Sequence, residues 1–289
     1  MSWRTGGQRT HYSFLMLAKL DYPKAVQVIR AMRGGAQAKL VLADNAHLYV
    51  VKFTNNPQQR RTLINEVIAT TVLKALGLPA AGFSPIAFKA SFLRDQPISL
   101  DHGSRSIEVP AGLHYGSLYP SLSSGNSPAI YDFLPSAILR TTGTTAAFLG
   151  AYVADQWMSN IDKRQAIFYR DPSRRWRTEL IDHGQTFGGA LWRFVNSFDW
   201  GTFIDPAVYE GVKSFDEVNV WVELARALGH EVFEAAFLSV PEEWIEDDGE
   251  ALQRLLNQLI ERRRNLSRIV ENAMSHEKSP FSATLLPLH

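Results

Sequence analysis

The chain has 289 residues, 45% of them hydrophobic, 11% aromatic and 20% charged, which supplies a sizeable core and excludes a disordered or fibrous chain. Thirty Lys and Arg against 29 Asp and Glu leave a formal charge of +1, so no global field draws the chain to nucleic acid or to an anionic membrane. With no cysteine, disulfides, thiolate zinc sites, iron–sulfur clusters and cysteine nucleophiles are excluded for these residues. The length suits one enzyme-sized domain or two lobes sharing a cleft.

Met1–Thr10 is charged, and Lys19 and Asp21 interrupt any apolar stretch after it, so no secretory leader is expected. From Tyr22 to about Leu118 the pattern is mixed and strand-rich. It predicts a short helix at Ala25–Met32, a glycine turn at Gly34-Gly35, and strands at Gln37–Ala43 and Leu48–Phe53 joined by the hairpin residues Asp44-Asn45-Ala46. A helix over Ile64–Leu76 follows from Val67, Ile68, Val72 and Leu76 recurring at helical steps, with Gly77 and Pro79 as its stop. Further strands are expected at Ser84–Phe92 and Gly112–Tyr119. The Ser-, Pro- and Gly-bearing segment Ser121–Ser136 reads as a loop between lobes or a flap.

From Thr144 the pattern turns helical. Phe148, Leu149, Tyr152 and Val153 form a buried helix face running toward Trp157, and strands at Gln165–Tyr169 and Trp176–Ile181 flank the turn Asp171-Pro172-Ser173. In the tail, Leu252, Leu255, Leu256, Leu259, Leu266, Ile269 and Val270 make one apolar stripe with Glu261–Arg264 on its polar side. Ala146–Met158 is the best bilayer candidate, but it falls short of about 20 residues and holds Asp155 and Gln156, so a cytoplasmic protein without membrane contact is expected.

Lys52 lies inside the apolar run Leu48–Phe53, where a charge needs a partner or a bound anion. Alternation sets Val50 and Lys52 on one face and Tyr49 and Val51 on the other. The ordinary alternative is an edge or snorkelling lysine. Glu66 on the next helix could pair with Lys52 and hold its ammonium over a phosphate, as in phosphotransfer enzymes, though alone it reads as a solvated helix residue. Gly34-Gly35 before the first hairpin strand lets the backbone approach an anionic ligand, or is only a turn; Walker A spacing is absent.

The strongest cluster is Asp155–Gln165 followed by Glu179-Leu-Ile-Asp182-His183-Gly184. Asp182 closes a strand and faces a cleft, a usual place for a divalent-metal ligand. Asp162, in a polar turn, could accept a hydroxyl proton, with Arg164 or Lys163 stabilising phosphoryl charge. An Asx turn at Asp162 and a capping Asp182 are the plainer readings. His183 suits an orienting or core role better than metal ligation, because the histidines are scattered. Arg60-Arg61, Arg174-Arg175 and Arg262–Arg264 read as solvated faces, and Trp192, Trp200, Trp221 and Trp244 as core anchors.

In the order Gly-Gly-x-Gln37, Tyr-Val-Val-Lys52-Phe, Asn65-Glu66, Gly77-Leu-Pro, Asn160-x-Asp162 and Ile181-Asp182-His-Gly, the chain resembles the HipA-like kinases, relatives of the protein-kinase and phosphatidylinositol-kinase superfamily, over about Ala31–Phe187. The resemblance implies an α+β, two-lobed kinase-like fold, with a strand-rich N-lobe at 1–120 and a helical C-lobe at 121–289. It also implies ATP with Mg²⁺ and phosphoryl transfer to a serine or threonine hydroxyl of a protein, a small-molecule acceptor being the variant.

On this resemblance Lys52 contacts nucleotide phosphates, Glu66 pairs with Lys52, Asp162 is the catalytic aspartate and Asp182 binds metal. Gly34, Gly35 and Gln37 form the phosphate-side loop. Leu113–Leu118, with His114, Tyr115 and Gly116, matches the adenine-binding hinge. The chain departs from the family in three ways: Gln165 stands where a second metal-binding asparagine is usual, Arg33–Lys39 lacks the autophosphorylated serine of the toxin members, and at 289 residues no room is expected for their extra N-terminal subdomain. No DNA-binding antitoxin is therefore implied. A nucleotide-binding pseudokinase and a metal-dependent hydrolase built on Asp155, Asp162, Asp182 and His183 are the competing readings.

Overall fold

The computed structural model describes residues 21–121, 128–196, 200–277 and 279–281. Five strands make one antiparallel sheet in the order β1 (Ala25–Ala31), β2 (Lys39–Ala43), β3 (Leu48–Lys52), β7 (Gly112–Leu118) and β4 (Phe83–Phe88). The alternation read in Leu48–Lys52 holds: Tyr49 and Val51 join Val41, Phe53, Ile86 and Phe88 in a small outer core, which leaves Val50 and Lys52 for the inner face. A short helix, α2 (Ala90–Asp95), and the hairpin β5 (Ser99–His102) and β6 (Arg105–Glu108) add Phe92, Ile98 and Leu100 to that core.

Two expectations in this region are corrected. Ala25–Met32 is not a helix but the edge strand β1, paired with β2. Register shifts between Ala25 and Gln27 and between Val28 and Arg30 place the core-facing residues Ala25 and Val28 three apart, which mimics a helical step, while Val26, Val28 and Ile29 favour the extended chain. The strand expected over Ser84–Phe92 ends at Phe88, and α2 follows it. Part of the expected Ser121–Ser136 loop lies outside the described residues; beyond it, Tyr131 exchanges two backbone bonds with Phe168, at 2.9 and 2.8 Å.

Helix α1 (Arg61–Ala75) is buried around most of its circumference because it lies between the sheet and the helical lobe. It ends at Gly77, whose φ of 75° is left-handed. Gly77 N–H donates to Lys74 O at 2.9 Å and Leu78 N–H to Leu73 O at 3.0 Å, a Schellman close that satisfies the last carbonyls. The chain then runs beside the second lobe, with Leu180 N–H donating to Pro79 O at 2.7 Å and Ala81 N–H to Leu180 O at 3.1 Å.

The second lobe begins with α3 (Ser136–Leu139) and α4 (Thr145–Met158), then the hairpin β8 (Gln165–Arg170) and β9 (Trp176–Ile181). Helices α5 (Phe215–Ala227), α6 (His230–Leu238), α7 (Glu242–Ile245), α8 (Gly249–Arg262) and α9 (Leu266–Met274) complete the two-lobed α+β fold. The apolar tail stripe is divided between α8 and α9 by a tight turn at Arg263–Asn265. Arg262 and Arg263 are not on its polar side. Arg262 donates to the O atoms of Trp157 (2.9 Å) and Gln156 (3.1 Å), and so caps the helix leading into the site; Arg263 donates to Leu228 O at 2.6 Å.

Besides the burial of α1 and the bonds to Leu180, side chains also tie the lobes together. Glu243 Oε1 accepts Leu113 N–H at 2.6 Å and Trp244 Nε1–H donates to Leu113 O at 2.8 Å. Arg61 grips Asp248 with both Nε and Nη2, at 2.8 and 2.5 Å.

His114 sits in the outer core with its ring 5.1 Å from those of both Phe53 and Phe88. Burial drives its pKa down to about 4, opposed by the contact with Pro110 O. Its folded value lies below the ordinary value near 6.5, so the folded state binds fewer protons than the unfolded one in between, and stability is lost as pH falls through that window. The loss reaches about 3 kcal/mol. We expect urea midpoints to drop from about pH 7 to about pH 4.5 more in the wild type than in His114→Gln; equal drops would refute this origin.

Candidate active site

At the end of β3, the ammonium of Lys52 bridges two carboxylates, 2.5 Å from Glu66 Oε1 and 2.7 Å from Asp182 Oδ1. The Glu66 side chain is 2% exposed, Lys52 12% and Asp182 32%, so the group opens to solvent on the Asp182 side. Burial disfavours the charged lysine, but Asp182 and Glu66 outweigh it and raise its pKa, so the ammonium stays charged. Burial likewise pushes Asp182 up, yet Lys52 and the nearby Arg164 hold its carboxyl below the usual range. The second Glu66 oxygen, Oε2, accepts His183 N–H at 2.9 Å, which fixes the carboxylate at both ends.

Asp182 follows the last residue of β9 and has φ 57°, a left-handed conformation that Asp tolerates better than most residues. Its neighbour across the hairpin follows from register: Gln165 opens β8 opposite Ile181, and its Nε2–H donates to Asp182 Oδ2 at 3.1 Å. Helix α4 ends at Ser159, also left-handed at φ 53°, and the chain turns through Asn160 to Asp162. Asn160 Oδ1 accepts Asp162 N–H at 3.1 Å, Asp162 Oδ1 accepts Lys163 N–H at 2.7 Å, and Asp162 O accepts Gly201 N–H at 2.8 Å. The partly exposed Asp162 is thus held in a turn whose backbone is pinned on both sides. Gly201 must lack a side chain, since a Cβ there would stand 2.6 Å from Asp155 Cβ.

A lysine clamped between a helix glutamate and a strand-end aspartate, beside a turn-borne aspartate, is an arrangement for holding polyanions and a cation. A family model described as HipA-like kinase matches residues 25–277. The chain belongs to the HipA-like kinase family. Among solved structures it is similar to the proinflammatory kinase CtkA of Helicobacter pylori, at 12% identity over 86% of this chain and 95% of that one, with a TM-score of 0.44. It is also similar to the Golgi casein kinase with Mn and ADP bound, at 10% identity over 89% and 74% of the two chains and a TM-score of 0.43. A second structure of the Golgi casein kinase gives 11%, 96%, 77% and 0.45. No curated protein matches the chain. No helix among the described residues is long and apolar enough to cross a membrane.

Not every residue singled out from the sequence of this HipA-like kinase reaches the cleft. Arg164 does not face it. One position before Gln165 on the strand, its side chain takes the opposite side and is fully buried against Asp155, to which Nε donates at 2.8 Å and Nη2 also bonds. The same guanidinium reaches Ile181 O at 3.2 Å and His183 Nδ1 at 2.7 Å. Burial and Arg164 push the His183 pKa well down, so the ring is neutral, accepts from Arg164 at Nδ1 and carries its proton on Nε2. Asp155 and His183 are thereby committed inward, and among the described residues no group of three or more His, Cys, Asp or Glu could hold a metal ion.

The hinge expectation is also corrected. Leu113–Leu118 belongs to β7, an interior strand with its ladder occupied by β3 and β4. His114 points into the outer core, and a Cβ on Gly116 would lie 2.5 Å from Ile86 Cγ1. Tyr115 stands opposite Lys52, buried and stacked on Phe83 at 6.0 Å. Gly34 has φ 116° and, with Gly35, is exposed in the β1–β2 turn. Gln37 instead binds the backbone of Asp101 through both amide atoms, at 2.7 and 2.9 Å, and ties the turn to β5.

The residue type the sequence undervalued is Asn65. Fully buried beside Glu66, its Nδ2 lies 2.8, 2.9 and 3.1 Å from the O atoms of Gly184, Thr186 and Gly189, and its Oδ1 accepts Trp192 Nε1–H at 2.7 Å. An amide in the middle of an apolar helix pattern was the available signal, because such a group must find partners.

Proposed function

We propose that this HipA-like kinase is an ATP- and Mg²⁺-dependent phosphotransferase whose acceptor is a serine or threonine hydroxyl of a protein. The observation carrying this reading is the charged Lys52 held between Glu66 and Asp182, with Gln165 on the same aspartate. The donor set suits the ligand: an ionised carboxylate and an amide oxygen are hard ligands for Mg²⁺, and an ammonium suits phosphate oxygens.

Bound Mg²⁺–ATP supplies the transferable phosphoryl group and neutralises charge on its oxygens. Lys52 binds phosphate oxygens, and Glu66 keeps its ammonium aimed at the cleft. Asp182 and Gln165 hold the metal, the aspartate remaining ionised because its pKa is lowered. Asp162 accepts the proton of the acceptor hydroxyl on a carboxylate oxygen. Gly34-Gly35 close over the phosphates. Arg164 works from below, through Ile181 and His183.

The test is a thermal-shift titration with ATP and Mg²⁺, followed in the same samples by labelled-phosphate transfer to a serine- and threonine-containing peptide library. A magnesium-dependent rise in melting temperature with label on hydroxyl residues is expected. A rise without transfer would favour the pseudokinase, which Gln165 in place of the usual asparagine makes the second reading. No rise would overturn nucleotide binding.

A further inference from the structure

Five residues between Asp182 and Trp192 have left-handed backbone: Asp182 (φ 57°), Phe187 (61°), Gly188 (72°), Gly189 (65°) and Trp192 (51°). Three of them are not glycine, so the segment carries strain and keeps its shape only if its surroundings over-determine it. The restraint comes from α1. Asn65 spans three carbonyls of the segment and receives the Trp192 indole N–H, while Arg61 lies 4.4 Å over the Trp192 ring and donates to Ala190 O at 3.2 Å. Glu66, next to Asn65, takes the His183 N–H. One turn of helix therefore holds both the lysine-orienting carboxylate and the segment that starts at the cleft aspartate.

We infer that Asn65 and Trp192 are positioning residues that keep Asp182 in metal-binding geometry by holding the strained Asp182–Trp192 segment on α1. The inference rests on the phosphotransfer reading for its metal, but the holding itself is a property of the chain alone. Without the indole N–H, Asn65 Oδ1 is left buried and unpaired, the segment relaxes toward ordinary backbone angles, and Asp182 moves with it.

Trp192→Phe keeps a ring beneath Arg61 and removes only the N–H; Asn65→Asp keeps the acceptor for Trp192 and removes the donation to the three carbonyls. In ligand-free protein, hydrogen exchange at the His183, Thr186 and Gly188 amides should quicken about tenfold or more in Trp192→Phe, and further in Asn65→Asp, with α8 unchanged. The Mg²⁺ concentration giving half of the ADP-induced thermal shift should rise about tenfold. Unchanged exchange in the segment, or a uniform rise that includes α8, would overturn the inference. So would a loosened segment with an unmoved Mg²⁺ midpoint. If the wild type shows no Mg²⁺-dependent shift, it is the phosphotransfer reading that falls, and the exchange arm still decides whether Asn65 and Trp192 hold the segment.

Discussion

Lys52→Met should lower phosphoryl transfer by at least about 10²–10³-fold, the usual cost of losing a preorganised charge partner of the transferring group. The chain should remain folded, and its stability should fall more steeply as pH rises. Burial already holds the Glu66 pKa above the usual carboxylate value, and with the ammonium gone the side chain keeps the His183 N–H but loses the opposite charge, so its folded pKa rises further. A carboxyl with a raised pKa binds more protons folded than unfolded, so its contribution is present at low pH and lost as pH rises through the folded value. The variant should therefore lose stability relative to the wild type more at about pH 8 than at about pH 6, and Lys52→Met with Glu66→Gln should recover most of that difference. Urea midpoints at the two pH values and a transfer assay on the same preparations check both parts. A single variant whose deficit does not grow with pH would show that Glu66 does not depend on Lys52.

Arg164→Met is the largest stability effect expected. It strands Asp155, fully buried, with only the Asn160 amide at 3.1 Å, and breaking such a pair costs about 3–5 kcal/mol. For a chain of this size that lowers the melting temperature by about 6–20 °C. Replacing both partners, with Asp155→Leu beside Arg164→Met, should recover a large part of the loss because no uncompensated charge remains. Failure of the double variant to improve on the single one would mean that Arg164 matters more through Ile181 and His183 than through Asp155.

The elements with one clear period were legible from the residues. Lys52 could be assigned to the inner face because β3 alternates strictly between two environments, and α4 because its apolar residues are buried all along. The hairpin at Asp171–Ser173 followed from turn chemistry. Where the period was altered by tertiary structure, reading failed. The bulges of β1 set its core residues three apart, and the interior position of β7 depends on pairing with β3 and β4, which no local pattern carries. At the site, the pairing of Lys52 with Glu66 was foreseeable from a strand lysine and a helix glutamate, and the Gln165–Asp182 contact from hairpin register. Arg164 was misplaced because its partner Asp155 lies a helix end away, and an arginine next to two chemistry-bearing residues reads the same whether it faces a ligand or a buried carboxylate. Asn65 was named only as part of a motif because its partners lie about 120 residues on in the sequence.

Leu113 is the second residue of β7, yet both poles of its peptide environment belong to the other lobe: Glu243 accepts its N–H and the Trp244 indole N–H donates to its O, while Arg61 is clasped by Asp248 beyond the cleft. Swinging the lobes apart as rigid bodies would break all three contacts together with the Leu180 bonds to Pro79 and Ala81 and the burial of α1 against the second lobe, so a rigid-body opening is strongly disfavoured. The cleft is in effect a window with a fixed frame. On the proposed phosphotransfer reading, nucleotide would enter and leave by movement of the exposed Gly34-Gly35 turn, the sash of that window, so exchange should be governed by a few residues of loop.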